Sequence, residues 1–234
     1  MLTAWEAARV VPHVETSVDP NGAVRHVDLG CGIGSVLLMI AYKHPHVRSV
    51  GIEAQEVSFE LAKRNVSRNR LTWVELHHGD LRDPEWVERL GRFDLVTGTP
   101  PYMPPGTSTP SPDLQRRFAR IEMRGGIEAY LDAAGRLLTD AGRVVVCADA
   151  RHPERVARGA ANAGLQILRR RDAVPREGRD ALFSVWTLER SSGAAVRTVE
   201  HAAPFIARTA SGARTRAYLD LRAYFDLPGS RVTT

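Results

Sequence analysis

The sequence predicts an α/β fold: a doubly wound, mostly parallel sheet of seven strands with helices on both faces. Three observations lead there. Short apolar runs alternate with helical segments, a glycine-rich turn follows the first run, and an acidic residue closes the second. With 234 residues, 43% hydrophobic and 25% charged, the chain is long enough to bury one large α/β core.

The elements follow in order. Ala23 to Leu29 fits a buried strand, and Val36 to Ala41 continues as a helix after the glycines. Val47 to Ile52 is a second strand, followed by a helix through Val57, Leu61, Ala62 and Val66. Trp73 to His78 is the third strand, Asp83 to Leu90 a short helix, and Phe93 to Thr97 the fourth strand. A loop with Pro100, Pro101, Pro104, Pro105, Pro110 and Pro112 cannot be regular structure. Helix Ile127 to Leu138 leads into strand Arg143 to Ala148, and helix Pro153 to Ala163 into strand Leu165 to Arg170. Leu182 to Leu188 returns antiparallel as the seventh strand. At the C-terminus a hairpin of Val196 to Val199 with Phe205 to Arg208 is expected, then a helix burying Ala217, Leu221, Tyr224 and Phe225. A short helix, Leu2 to Val10, anchored by Trp5, is expected at the start.

The glycine turn reads Asp28-Leu29-Gly30-Cys31-Gly32-Ile33-Gly34. Glycines at alternating positions let the backbone turn sharply and approach a ligand closely. A dinucleotide fingerprint spaces its glycines G-x-G-x-x-G to seat a pyrophosphate, whereas here a carboxylate stands where phosphate would be repelled. A cationic or zwitterionic ligand suits this turn better. Glu53 lies about 20 residues beyond it, where a nucleotide-binding α/β fold places its acidic ribose ligand. Asp80 closes the next apolar run in the same way. An ordinary turn with solvated acids at strand ends is the plainer alternative.

Gly98-Thr99-Pro100-Pro101-Tyr102 ends the fourth strand. Transfer of an alkyl group to an exocyclic or amide nitrogen requires its delocalised lone pair to be localised. A side-chain oxygen and a backbone carbonyl that accept the two N–H bonds favour that state, and an aromatic ring stacks on the planar substrate. Thr99, a proline-fixed carbonyl and Tyr102 supply those parts; a proline turn packed by Tyr102 is the alternative.

These motifs resemble motif I and the (Asn/Asp/Ser)-Pro-Pro-(Tyr/Phe) motif IV of class I S-adenosylmethionine-dependent methyltransferases. More narrowly they resemble the small-domain type that includes tRNA adenine-N6 methyltransferases and release-factor glutamine methyltransferases. The resemblance covers residues 24 to 190, most firmly 24 to 102. It implies an enzyme that binds S-adenosyl-L-methionine through Asp28, Gly30, Cys31, Gly32, Gly34, Glu53, Ala54, Asp80, Leu81 and Thr99. Thr99, Pro100, Pro101 and Tyr102 would hold the target. Thr99 departs from the commoner asparagine and reaches one bond less far. No metal is expected, since the sulfonium supplies the leaving group. The implied organisation is a helical segment over 1–22, a methyltransferase domain over 23–190 and a C-terminal hairpin and helix packed on it over 191–234. The helical N-terminal domain of release-factor enzymes has no counterpart, which favours adenine N6 in a structured RNA such as tRNA. Glutamine N5 of a protein, or a cofactor-binding scaffold without catalysis, are the alternatives.

Charge points the same way less sharply. The net charge is +5, and arginines cluster at Arg116, Arg117, Arg120 and Arg124 and at Arg169, Arg170, Arg171, Arg176 and Arg179. Such clusters fit RNA phosphates, with an ordinary solvated surface as the alternative. The two cysteines, Cys31 and Cys147, form no disulfide framework, and Cys31 reads as a small turn residue rather than a nucleophile. No apolar run approaches the ~18 residues of a membrane span, and the N-terminus does not read as a secretory signal. A cytoplasmic protein without membrane contact is expected.

Overall fold

The computed structural model describes residues 1–15, 23–101, 122, 125–193 and 198–228. Its elements are α1 (Leu2–Glu15), β1 (Arg25–Leu29), α2 (Ser35–Lys43), β2 (Arg48–Glu53), α3 (Glu56–Arg68), β3 (Val74–His78), α4 (Pro84–Glu88) and β4 (Phe93–Gly98). There follow α5 (Ile127–Leu137), β5 (Leu138–Asp149), α6 (Pro153–Asn162), β6 (Leu165–Val174), β7 (Phe183–Arg190), β8 (Glu200–Ile206) and α7 (Arg216–Tyr224). One sheet takes the order β3-β2-β1-β4-β5-β7-β6-β8. Strands β1 to β5 pair in parallel, and β7 is antiparallel to both β5 and β6. Strand order reverses between β1 and β4, which opens a crevice at their C-terminal ends.

Side chains alternate across each strand, so β5 sends Val144 and Val146 to one face and Val145 and Cys147 to the other, all buried. The first face packs on α5 and α6 through Ile127, Leu131, Ala134, Val156 and Ala160. The second packs on α1, α2 and α7 through Ala7, Val11, Ile40, Leu221 and Phe225. Helix α1 continues past Pro12, beyond the expected stop at Val10, because Val11 and Val14 extend the buried stripe of Ala4, Ala7 and Ala8. Burial there outweighs the hydrogen bond that proline cannot donate. Trp5 is only half-buried, with the guanidiniums of Arg9 and Arg171 at 4.6 and 5.5 Å from its ring.

Two expectations are corrected. Among the described residues the sheet has eight strands, not seven, because Glu200–Ile206 pairs in parallel with β6; of the expected hairpin's first arm, residues 196 and 197 lie outside the described residues. Strand β5 also begins at Leu138, not Arg143: the β4 register jumps from Phe93↔Leu138 to Leu95↔Arg143, and residues 139–142, left between the expected helix and strand, are accommodated in that irregularity. No helix among the described residues is long and apolar enough to cross a membrane.

Much of the second arginine cluster is used internally. Glu6, 3% exposed, accepts from Arg169 Nη1 at 2.9 Å and from Arg171 Nε, tying α1 to β6. Arg170 bonds Asp172 at 2.7 Å and lies over the Trp186 ring.

A buried polar chain crosses β2, β1 and β4. Ser49 Oγ lies 3.0 Å from His26 Nδ1, His26 Nε2 lies 2.9 Å from Thr97 Oγ1, and Thr97 donates to Asp28 Oδ1 at 2.7 Å. With Thr97 donating to Asp28, the run of donors requires Nε2 of His26 to carry the proton and Nδ1 to accept from Ser49. Burial lowers the His26 pKa to about 3, so the ring is neutral. Burial also raises the Asp28 carboxyl to about 7, opposed by the Thr97 bond and the N-terminal ammonium and reinforced by the charge of Glu53. The unfolded chain therefore ionises Asp28 near 3.8 while the folded one does so only near 7, and ionisation erodes stability as pH rises through that window. Asp28→Asn keeps the acceptor without the charge. Its stability relative to the unaltered protein should grow by up to about 1.4 kcal/mol per pH unit across that window and level off above it. Urea unfolding of both proteins over the pH series checks this, and parallel profiles would mean that Asp28 stays ionised throughout.

Candidate functional site

The C-terminal ends of β1, β2 and β4 surround a cavity of about 310 Å³, within the range of small-molecule sites. Its floor is the glycine turn. Gly30, Gly32 and Gly34 all have left-handed backbone, with φ of 59°, 57° and 84°. The first two meet different needs. A Cβ on Gly30 would stand 2.2 Å from the Tyr130 hydroxyl, so only glycine allows α5 to approach the turn. A Cβ on Gly32 would meet nothing within 4 Å, which leaves that side of the turn open for a ligand to approach the backbone.

Glu53 holds the turn in place. Its Oε2 accepts from the Gly32 amide at 2.8 Å and its Oε1 from the Gln55 amide at 2.7 Å, so the carboxylate joins the turn to the start of α3. Glu53 is 6% exposed and lines the cavity. A carboxylate offers about four lone-pair sites, so two amides leave capacity for a pair of hydroxyls. The sequence alone presents Glu53 as a ribose ligand, with a solvated acid at a strand end as the alternative; its burial and amide bonds make it structural as well.

Asp80 and Leu81 line the wall beyond Gly79. Arg82 chelates Asp80, with Nη2 at 2.6 Å from Oδ2 and the Arg82 amide at 2.9 Å from Oδ1. The Asp80 side chain thus shapes its own loop. Cys31 is buried, and burial together with the charges of Asp28 and Glu53 holds its thiol far above the usual range, unfit as a nucleophile. Thr99 and Pro101 complete the mouth, Thr99 being exposed and Pro100 buried behind it.

The structure therefore gathers Gly30, Cys31, Gly32, Glu53, Ala54, Asp80, Leu81, Thr99 and Pro101 around one cavity. Asp28 is a correction: it does not line the cavity, since its carboxyl is drawn into the buried chain with Thr97. Gly34 shapes the turn at the N-terminus of α2 without lining the cavity, and Pro100 lines a small adjoining cleft with Asp149, His152 and Arg155. Tyr102 and the arginines at 116, 117, 120 and 124 lie outside the described residues.

The sequence alone does not mark Tyr130 as a site residue. It is 7% exposed, lines the cavity and sits against Gly30 and Gly98, where a Cβ would come within 2.7 Å of its ring. The signal available is the segment Gly125 to Tyr130, a glycine pair opening a helix with its aromatic residue one turn in. Arg155 braces the same helix start, bonding Glu122 at 2.8 and 2.9 Å and Glu128 at 2.8 and 2.6 Å. Among the described residues no group of three or more His, Cys, Asp or Glu is placed to hold a metal. An open glycine backbone, an anchored carboxylate and a nucleoside-sized cavity fit S-adenosylmethionine.

Comparisons with known proteins agree. Residues 11–120 match the family model described as Methyltransferase small domain. A tRNA1(Val) (adenine(37)-N6)-methyltransferase of Porphyromonas gingivalis is 32% identical over 133 residues, covering 55% of this chain and 51% of that protein. A release factor glutamine methyltransferase of Caulobacter vibrioides is 31% identical over 140 residues, covering 57% and 47%. The chain thus spans about half the length of these curated relatives. Among solved structures, a predicted O-methyltransferase, protein Atu636 from Agrobacterium tumefaciens, has a TM-score of 0.66 at 18% identity, covering 94% of this chain and 96% of that one, a likeness of fold. The sheet order and the likeness to that structure place this chain on a Rossmann-like methyltransferase fold, and its residues 11–120 are similar to the methyltransferase small domain.

Proposed function

We propose that the protein is an S-adenosylmethionine-dependent N-methyltransferase acting on adenine N6 in a structured RNA such as tRNA. The observation that carries this reading is the convergence of Thr99 and Pro101 with Gly30, Gly32 and Glu53 on one cavity at the strand-order reversal. When bound, the cofactor supplies a methyl group on a sulfonium, which departs as a neutral thioether.

Glu53, already oriented by two amides, takes the ribose hydroxyls. The open backbone at Gly32 receives the aminoacyl end, and Leu81 borders the adenine. Thr99 Oγ1 and the Pro100 carbonyl accept the two N–H bonds of the target amine, which favours a tetrahedral, more nucleophilic nitrogen. Tyr102 supplies the stacking face by its place in the motif. No buried base is required, since the proton is acidic after transfer and leaves to solvent.

A second reading has a specific support: the relative named release factor glutamine methyltransferase matches nearly as well as the tRNA one. A glutamine amide presents the same planar NH2 group to Thr99. Incubating the protein with methyl-labelled cofactor and a cell extract separates the two, since label enters tRNA in one case and protein in the other. Label in neither would leave a cofactor-binding scaffold.

Glu53→Ala should weaken S-adenosylmethionine binding by ~1.5 to 3 kcal/mol, the range for removal of a charge-assisted hydrogen bond. Calorimetric titration reads this directly, and unchanged affinity would remove Glu53 from the ribose site. Thr99→Val preserves shape and deletes the acceptor. Methyl transfer should fall ~10-fold to 1000-fold with cofactor affinity nearly constant, and an unchanged rate would show that the hydroxyl has no part in the chemistry. In Thr99→Asn, a faster rate would show that threonine limits the site.

A further inference from the structure

The C-terminal segment brings a second set of arginines to the edge of the sheet where the cavity lies. Strand β7 is antiparallel to both β5 and β6, so β6 runs with β5; β8 in turn is parallel to β6. The C-terminal ends of β6 and β8 therefore open on the same edge as those of β1 and β4. At ~4.8 Å per strand, β8 stands roughly 19 Å from β4, the nearest strand of the cavity, about five to six nucleotide steps of 3.4 Å along a duplex strand.

The turn after β6 and the segment after β8 are fastened to each other. The Glu177 amide donates to the Arg208 carbonyl at 2.8 Å, and Glu177 Oε2 accepts from the Ala210 amide at 3.1 Å. Arg208 and Arg214 form an isolated antiparallel bridge, and the Arg176 guanidinium lies against Gly212. This paired loop exposes Arg176, Arg179, Arg208 and Arg214. Among the described residues none of the four is in an ion pair, whereas Arg216 next to them bonds Asp220 at 2.8 Å. The carboxylates within the two segments are Glu177, engaged by a backbone amide, and Asp180.

The contrast with Arg169, Arg170 and Arg171 makes this more than an arginine-rich composition. Those three, a few residues earlier in the chain, are matched by Glu6, Glu200 and Asp172. Among the described residues the guanidiniums along β6 are paired with carboxylates and those at the ligand edge are not.

We propose that these two fastened segments form a phosphate-binding rim that holds the backbone of the RNA whose base enters the cavity beside Thr99; this rests on the RNA reading above. A protein surface is the poorer fit. Protein docking draws on desolvated apolar or aromatic anchors. Among the described residues the exposed large hydrophobics Ile33, Val57, Leu61 and Tyr42 lie at the glycine turn, α3 and α2, and only Leu182 borders the rim. Four exposed guanidiniums without a carboxylate partner among the described residues suit a polyanion, although Arg214 also lies over the Tyr218 ring at 5.4 Å and Arg208 on the Gly212 carbonyl.

The test is a triple variant, Arg176→Ala, Arg179→Ala and Arg214→Ala, which spares the Arg208 bond to the Gly212 carbonyl. Binding of unfractionated tRNA, followed by fluorescence anisotropy over a salt series, should weaken about 10- to 100-fold at low salt. The slope of log affinity against log salt should flatten by roughly 0.7 to 0.9 for each phosphate that is no longer neutralised. KM for RNA should rise, while cofactor affinity and melting temperature stay as in the unaltered protein. Lysine at all three positions should restore most of the binding, because the rim acts through charge. Unchanged affinity and slope in the alanine variant, with RNA still methylated, would overturn the rim and leave the RNA reading standing. If the unaltered protein neither binds nor methylates RNA, both fall together.

Discussion

The site depends on one carboxylate. A turn with three left-handed glycines has backbone amides that no regular ladder satisfies, and it is entropically costly to hold. Glu53 answers both problems from the end of the neighbouring strand: one oxygen takes the Gly32 amide and the other the Gln55 amide. Parallel pairing of β1 with β2, at Leu29↔Ile52, sets the register that brings Glu53 beside the turn, and the Cys31 amide bonding the Ile52 carbonyl at 2.9 Å continues the pairing into the glycines. Everything at the cavity floor inherits that alignment, including the space in which Tyr130 rests on Gly30.

The parts legible in the sequence are those whose physics is local. Apolar runs bounded by glycine, proline or acid mark β1 to β4, and Thr99-Pro100-Pro101 announces itself by a backbone that can do little else. The unread parts depend on distant partners. Strand β8, with Glu200, His201 and Pro204, has no alternation that would identify it; it is a strand because β6 offers it an unpaired edge. The first helix is expected to end at Val10, yet α1 passes through Pro12 because Val14 has a core to enter. Asp28 reads as a ligand group because it precedes the turn, but only the fold reveals Thr97 opposite it on β4. The same holds for Tyr130, whose importance lies in two glycines more than thirty positions away in the chain.

The arginines repeat that lesson in charge rather than shape. Composition alone treats Arg169 to Arg179 as one basic stretch. In the fold it divides where β6 ends: upstream residues meet carboxylates of α1, β8 and β6 itself, downstream ones emerge into a turn. Glu6, far off in sequence, decides which guanidiniums are internal.

Strand β8 also alters how the sheet meets the outside. An open sheet ends in rows of unpaired amides and carbonyls that invite another chain to add a strand. Here the free rim beyond β6 is occupied by a strand interrupted at Pro204, which lacks a donor, and flanked by exposed Glu200 and His201. A polypeptide approaching that flank meets a broken donor row and charge. The last strand thus guards the sheet against accidental extension by neighbouring molecules, a safeguard against aggregation at the flank farthest from β3.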